Sequence, residues 1–171
     1  MPRYVALLRG VSPLNAKMPE LKACFESAGF TSVRTVLSSG NVIFDSTLAN
    51  QATIERTAED AMARILGRAF YTIVRSSGEL LALLASDPYR EHGIPPNAKR
   101  VISFFREPRG PRVTLPLTKD LASVFLVQGR EAFSAYLPAD KGPVFMTLIE
   151  KAFGKDVTTR TLETVAKCAV A

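Results

Sequence analysis

The side chains best suited to chemistry fall in three short segments. Arg9, Asn15 and Lys17 follow an apolar run, with Gly10 beside Arg9. Ser38, Ser39 and Asn41 surround Gly40. Thr158, Thr159 and Arg160 stand near the C-terminus. The first two sets contain cations and hydrogen-bond donors but no carboxylate. A guanidinium and an ammonium beside successive turn amides are the parts from which proteins build anion-binding concavities. The chemistry they point to is retention of a phosphate or carboxylate, and no general base is in view. The competing explanation is that Ser and Asn satisfy turn geometry while the cations are solvated. Thr158 to Arg160 form a secondary candidate. They precede the last helix, where a threonine cap can leave amides exposed to an anion, although plain capping accounts for them as well.

Other routes to chemistry are closed by composition or spacing. Cys24 and Cys168 have no Cys or His neighbours at zinc-ligand spacing, so both read as small core residues. His92 is the only histidine and lies in Tyr89-Arg90-Glu91-His92-Gly93-Ile94-Pro95-Pro96, which reads as a solvated loop. No metal or other cofactor is expected. The Walker, dinucleotide, nucleophile-elbow and zincin signatures are all missing. A net charge of +6 favours an anionic partner, but the 22 Lys and Arg are scattered without a basic run. No apolar run reaches the roughly 20 residues that span a bilayer. The segment Met1 to Arg9 is too short and too soon charged for a signal peptide, so a cytoplasmic protein without membrane contact is expected.

The first two segments owe their position to the elements around them. Tyr4 to Arg9 is apolar enough for a buried strand, ended by a loop holding Gly10, Pro13 and Asn15. Met18, Leu21, Phe25 and Ala28 recur at helical spacing, with Pro19 in the first turn and Gly29 after the last. Val33–Leu37 and Asn41–Asp45 flank Ser38-Ser39-Gly40 as a hairpin. Ile54, Ala58, Ala61, Met62, Ile65 and Leu66 mark an amphipathic helix ending at Gly67, and Phe70–Val74 forms a further strand. The order β-α-β-β-α-β predicts a ferredoxin-like half over residues 1–76. In that topology the end of the first strand and the hairpin turn share one edge of the sheet. Arg75 is directed to the opposite end and excluded.

Residues 77–171 are expected to form a second α+β half, an antiparallel sheet with flanking helices, packed with the first as one folding unit. Ser76-Ser77-Gly78-Glu79 has capping-box spacing ahead of a leucine-rich helix stopped by Asp87-Pro88. Strands are predicted at Val101–Phe105, Val124–Val127 and Phe133–Leu137, the last two joined by a Gln128–Glu131 hairpin. The Pro-rich stretch Glu107–Pro116 separates the first from the second. Helices are predicted at Val144–Phe153, bounded by Gly142-Pro143 and Gly154, and at Leu162–Ala169.

Val5-Ala6-Leu7-Leu8-Arg9-Gly10-Val11, Lys17-Met18, Leu21, Gly29-Phe30 and Ser39-Gly40-Asn41-Val42-Ile43-Phe44 together resemble the bacterial domain-of-unknown-function 1697 family. The likeness continues through Ile73-Val74-Arg75-Ser76, Glu150-Lys151, Gly154, Thr158-Thr159-Arg160 and Thr164-Val165-Ala166-Lys167. It implies two α+β halves, the first ferredoxin-like, and no assigned activity. The chain departs from the family pattern in three places. Ser12-Pro13-Leu14 stands where a Gly-Gly pair is usual, and Val144-Phe145-Met146-Thr147 replaces a Ser-Lys-Leu-Thr-like start. Thr161-Leu162-Glu163 replaces Asn-Trp-Asn. The last two changes remove polar and aromatic groups near Arg160.

Three functions fit these readings. The leading one is an anion- or phosphate-binding module at Arg9, Gly10, Asn15, Lys17, Ser38, Ser39, Gly40 and Asn41. A second is charge-driven nucleic-acid binding, although only Tyr4 and Phe44 are available as aromatics on the central strands. A third is an enzyme acting on a small anionic substrate. That reading needs a carboxylate such as Asp45 or Glu163 beside the cluster. Nothing in the sequence fixes an oligomeric state.

Overall fold

A computed structural model describes residues 1–138 and 144–171. The chain divides into two compact units, Met1–Leu83 with Ala166–Ala171, and Leu84–Val165.

The first unit contains β1 (Arg3–Leu8), α1 (Met18–Ser27), β2 (Thr31–Thr35), β3 (Asn41–Asp45), α2 (Gln51–Leu66) and β4 (Thr72–Ser76). The helix α3 (Ser77–Ser86) follows β4 without a break. Its sheet runs β2-β3-β1-β4, antiparallel throughout, with β1 and β3 central as the split arrangement predicts. Tyr4, Ala6 and Leu8 of β1 and Val42 and Phe44 of β3 face Leu21, Cys24 and Phe25 of α1 and Ile54, Ala58 and Met62 of α2 in one core. Val5 and Leu7 are buried too, which is why β1 reads as a continuous apolar run without alternation.

Local chemistry sets the helix boundaries. Asn50 Oδ1 accepts from the Thr53 amide at 3.1 Å to start α2, and Gly67, at φ 76°, ends it. The Ser76 and Glu79 side chains each accept from the other's amide, at 3.1 and 3.2 Å, closing the expected capping box of α3. Glu55 is buried on α2, and its carboxylate accepts from the Val74 amide at 2.9 Å. An edge-strand donor is thereby satisfied from within the unit.

Two strands of the first unit are offset from expectation by two residues, and β5, β7 and β8 of the second begin two residues earlier than expected. Strand β2 stops at Thr35 instead of Leu37, because Leu37 takes φ 62° and leaves the extended conformation. Strand β4 runs from Thr72 to Ser76, two residues later than the Phe70–Val74 run suggested. Phe70 is spent in the core beneath the strand's entry.

The second unit forms the sheet β6-β7-β8-β5-β9, again antiparallel, from β5 (Lys99–Phe104), β6 (Leu117–Lys119), β7 (Ala122–Gln128), β8 (Glu131–Tyr136) and β9 (Thr158–Thr161). The helix α4 (Val144–Phe153) packs Leu148, Ile149, Ala152 and Phe153 onto Ala122, Val124 and Ala132. The Gly142-Pro143 boundary expected before it lies outside the described residues. Tyr89 is buried beside Phe133 and Phe125, and its hydroxyl donates to the Val101 carbonyl at 2.6 Å. Burial pushes its phenol above the usual range.

The Pro-rich stretch after β5 has a use that its composition did not disclose. The Arg109 guanidinium donates to the carbonyls of Phe153 and Asp156 at 2.9 and 3.3 Å, and the Arg112 amide donates to the Ala152 carbonyl at 2.7 Å. Both therefore serve carbonyls at and just past the end of α4, where the helix dipole favours positive charge. The last helix, α5 (Leu162–Val170), starts directly after β9. Strands β6 and β9 are additions to the expected sheet, the first only three residues long and the second formed by threonines that also suit a helix cap.

Candidate functional site

The site starts from where β1 ends. The Leu8 amide donates to the Gly40 carbonyl at 2.9 Å, and the Arg9 amide to the Tyr71 carbonyl at 2.8 Å. Arg9 is thus fixed at its backbone between the β2–β3 turn and the entry to β4. Gly40 is buried at φ 84°, and a Cβ there would lie 2.8 Å from Val11 Cβ and 3.1 Å from Leu8 Cβ. Only glycine permits this approach of turn to loop. The Arg9 loop and the turn that carries Ser38 meet at Gly40, as the topology predicts.

Both segments are fastened by their own side chains. Asn15 Oδ1 accepts from the Ser12 amide at 2.9 Å while Asn15 Nδ2 donates to the Gly10 carbonyl at 2.8 Å. The Ala16 amide closes the same loop onto the Ser12 carbonyl at 3.1 Å. Across the edge, buried Asn41 donates to the Val36 carbonyl at 2.9 Å and to Ser39 Oγ at 3.0 Å. The Val36 amide returns a bond to the Asn41 carbonyl at 2.9 Å. Asn15, Asn41 and Gly40 therefore shape the edge. Lys17 and Ser38 are exposed on it and Arg9 is half-buried.

Between the two segments lies a hollow of about 340 Å³, lined by Pro13, Ala16, Lys17, Met18, Pro19 and Ser38. Lys17 precedes the first turn of α1 in extended conformation, and its side chain makes no capping bond. The apolar lining was not anticipated from the sequence. In the sequence Pro13 reads as loop breaking and Met18 and Pro19 as the start of a helix, and only the folded loop brings them to one surface.

Other groups are placed away from this edge or committed elsewhere. Arg75 pairs with Val5, three registers along from the Leu8–Thr72 pair, and is buried with Nη1 donating to the Val74 carbonyl at 3.0 Å. Asp45 lies at the far end of β3 from Asn41, roughly 13 Å away at the rise of an extended strand. It accepts from Arg3 Nε at 2.9 Å, and the guanidinium holds its carboxyl below the usual range, helped by Ser32. Arg3 also donates to the Ala171 carbonyl at 3.2 Å. Glu163 approaches Lys99 at 3.9 Å in the second unit. Among the described residues no carboxylate lines the hollow, and no group of His, Cys, Asp and Glu is arranged to hold a metal ion. No described helix is long and apolar enough to cross a membrane.

The secondary candidate takes a different form from the expected cap. Thr158 to Thr161 are strand β9, paired with β5 through Thr158–Phe104, Thr159–Ser103, Arg160–Ile102 and Thr161–Val101. Thr158 is buried, Thr159 Oγ1 lies 2.9 Å from Ser103 Oγ, and Arg160 Nη1 donates to the Thr159 carbonyl at 2.9 Å. Capping of α5 falls to Thr161, whose Oγ1 accepts from the Thr164 amide at 3.3 Å. β-Branched residues favour the extended backbone, which explains why three threonines form a strand.

Known proteins match this chain at two levels. Its fold is similar to that of a conserved bacterial protein, SP0830 from Streptococcus pneumoniae, with TM-score 0.70, 18% identity, and 99% and 97% of the two chains covered. No curated protein matches the sequence. A family model described as "Protein of unknown function (DUF1697)" matches residues 1–133, which include all of β1 to β4 and the edge they build. The chain belongs to that family.

Proposed function

We propose that the protein is a binding module for a small anion, held at the edge formed by Arg9, Lys17 and the Ser38–Asn41 turn. The observation that carries this reading is the hollow itself. Lys17 and Ser38, which lie 21 positions apart in the chain, line one concavity with no carboxylate in its wall. Arg9 is fixed at the same edge through its amide. A cation and a hydroxyl lining one concavity suit the oxygens of a phosphate or carboxylate. For the reaction-bearing alternative, no carboxylate among the described residues lines the hollow, and Asp45 is engaged by Arg3 at the other end of the strand.

Nucleic-acid binding draws less support. Arg3 is paired with Asp45, Arg90 with Asp87 and Lys99 with Glu163, while Arg109 serves the end of α4. These four of the 22 Lys and Arg are engaged within the fold, and what favours nucleic acid is the net charge of +6 alone. The two readings separate on salt, because phosphate-backbone binding weakens steeply with ionic strength.

The test is thermal unfolding with a panel of phosphorylated and carboxylated small molecules. A ligand at ten times its Kd stabilises by about 1.4 kcal/mol, or roughly 3–6 °C for a chain of this size. Lys17→Ala and Ser38→Ala, both at exposed positions lining the hollow, should abolish that shift without lowering the unliganded midpoint by more than a degree or two. Absence of any shift in the wild-type protein would sink the proposal.

A further inference from the structure

Most of the hollow's wall is apolar, and that composition says more about the ligand than its charge does. Pro13, Ala16, Met18 and Pro19 supply four of its six lining residues, with Lys17 and Ser38 the two polar ones. A site for a free inorganic ion has no use for such a wall, since a bare phosphate is served by donors on every side. A concavity of about 340 Å³ is at the small end of those that hold organic ligands.

Two further apolar side chains adjoin the lining residues along the chain. Leu14, next to Pro13, is 98% exposed at the tip of its loop. Leu37, next to Ser38, is 49% exposed and sits at φ 62°, in the left-handed region that a leucine rarely adopts. The turn closed by Asn41 and Val36 holds Leu37 in that conformation and leaves about half of its side chain exposed. Strain of this kind gathers where a surface is shaped for binding. Turn chemistry alone would place Gly or Asn at that position.

We infer that the ligand is a soluble amphipathic acid, with a single phosphate or carboxylate held by Lys17 and Ser38 and a short apolar body laid against Pro13, Met18, Pro19 and the two leucines. The inference rests on the anion-binding reading and extends it to a substrate class. Charge complementarity fixes the acidic end, and the size of the hollow limits the body to a few carbons or one ring.

The experiment is calorimetric titration of the full chain with inorganic phosphate and with methyl, butyl, hexyl and phenyl phosphate. Affinity should rise with the apolar body by up to about fourfold per methylene buried, until the hollow is full. Leu14→Ser, at a fully exposed position, and Leu37→Gly, which suits a positive φ, should both fold. Each should flatten the chain-length dependence, read as the ratio of hexyl phosphate to inorganic phosphate affinity. Lys17→Ala should weaken every member of the series alike. If inorganic phosphate and hexyl phosphate bind equally well, the inference is overturned while the anion-binding reading stands. If no member binds and butyrate, hexanoate and benzoate fail as well, both fall. Retention on vesicles carrying phosphatidic acid without binding of soluble hexyl phosphate would also overturn it, since a membrane lipid would then be the source of the acid.

Discussion

Gly40 is the residue through which the β2–β3 turn reaches the Arg9 loop, and its replacement tests the edge at the finest scale. Gly40→Ala places a methyl against Val11 and Leu8 and forces alanine to a positive φ. Left-handed strain of about 1 kcal/mol and overpacking of about 1–3 kcal/mol predict a loss of roughly 2–4 kcal/mol, readable by denaturant unfolding. A neutral Gly40→Ala would mean that the turn can withdraw from the loop. Lys17→Ala, at an exposed position outside any capping bond, should change stability by less than about 0.5 kcal/mol. The two substitutions separate a residue that shapes the edge from one that serves on it. Types and spacing had selected both, because Gly at a turn and Lys after a loop carry their signals locally. Leu37 carried none. Its positive φ arises from closure of the turn by Asn41 and Val36, a contact between residues that no propensity anticipates.

At the level of elements, α1 and α2 are legible because each pairs a helical period with a clear boundary, such as Pro19, Gly29 and Gly67, and β1 and β3 because each is a short apolar run next to a turn. The register of β4 was not, since Phe70 carries the aromatic signal of a strand but spends it in the core below. Strand β9 was hidden for a related reason. Threonines at a helix start satisfy capping and strand propensity equally, and pairing with β5 decided between them. The α4 terminus shows how a charge can be structural without being ion-paired. Arg109→Ala removes two bonds to carbonyls at and beyond the helix end and its contact over the Phe105 ring, at 4.9 Å. A loss of about 1–3 kcal/mol is expected in chemical denaturation, with binding at the Arg9 edge unchanged. A coupled loss of binding would contradict the assignment of the site to the first unit.

For the molecule as a whole, the sequence conveyed the class of fold and the first sheet's topology, whereas the second sheet's five-stranded order depended on long-range pairing. Its charge has a measurable consequence at low pH. Arg3 lowers the pKa of Asp45, so the folded state binds fewer protons there than the unfolded chain. Stability from this pair is present above the unfolded carboxyl value, near 4, and is lost as pH falls through the lower folded value. Asp45→Asn should flatten that acid limb in unfolding curves recorded at successive pH values, and an unchanged limb would assign it to other carboxyls. The central claim is that an anion binds where the Arg9 loop meets the Ser38 turn. The most direct measurement is a backbone-amide NMR titration of the full chain with phenyl phosphate. The account predicts shifts concentrated in residues 9–18 and 37–41, saturating with one ligand per chain. Shifts centred instead on Thr158–Arg160, or spread without saturation over the basic surface, would contradict it.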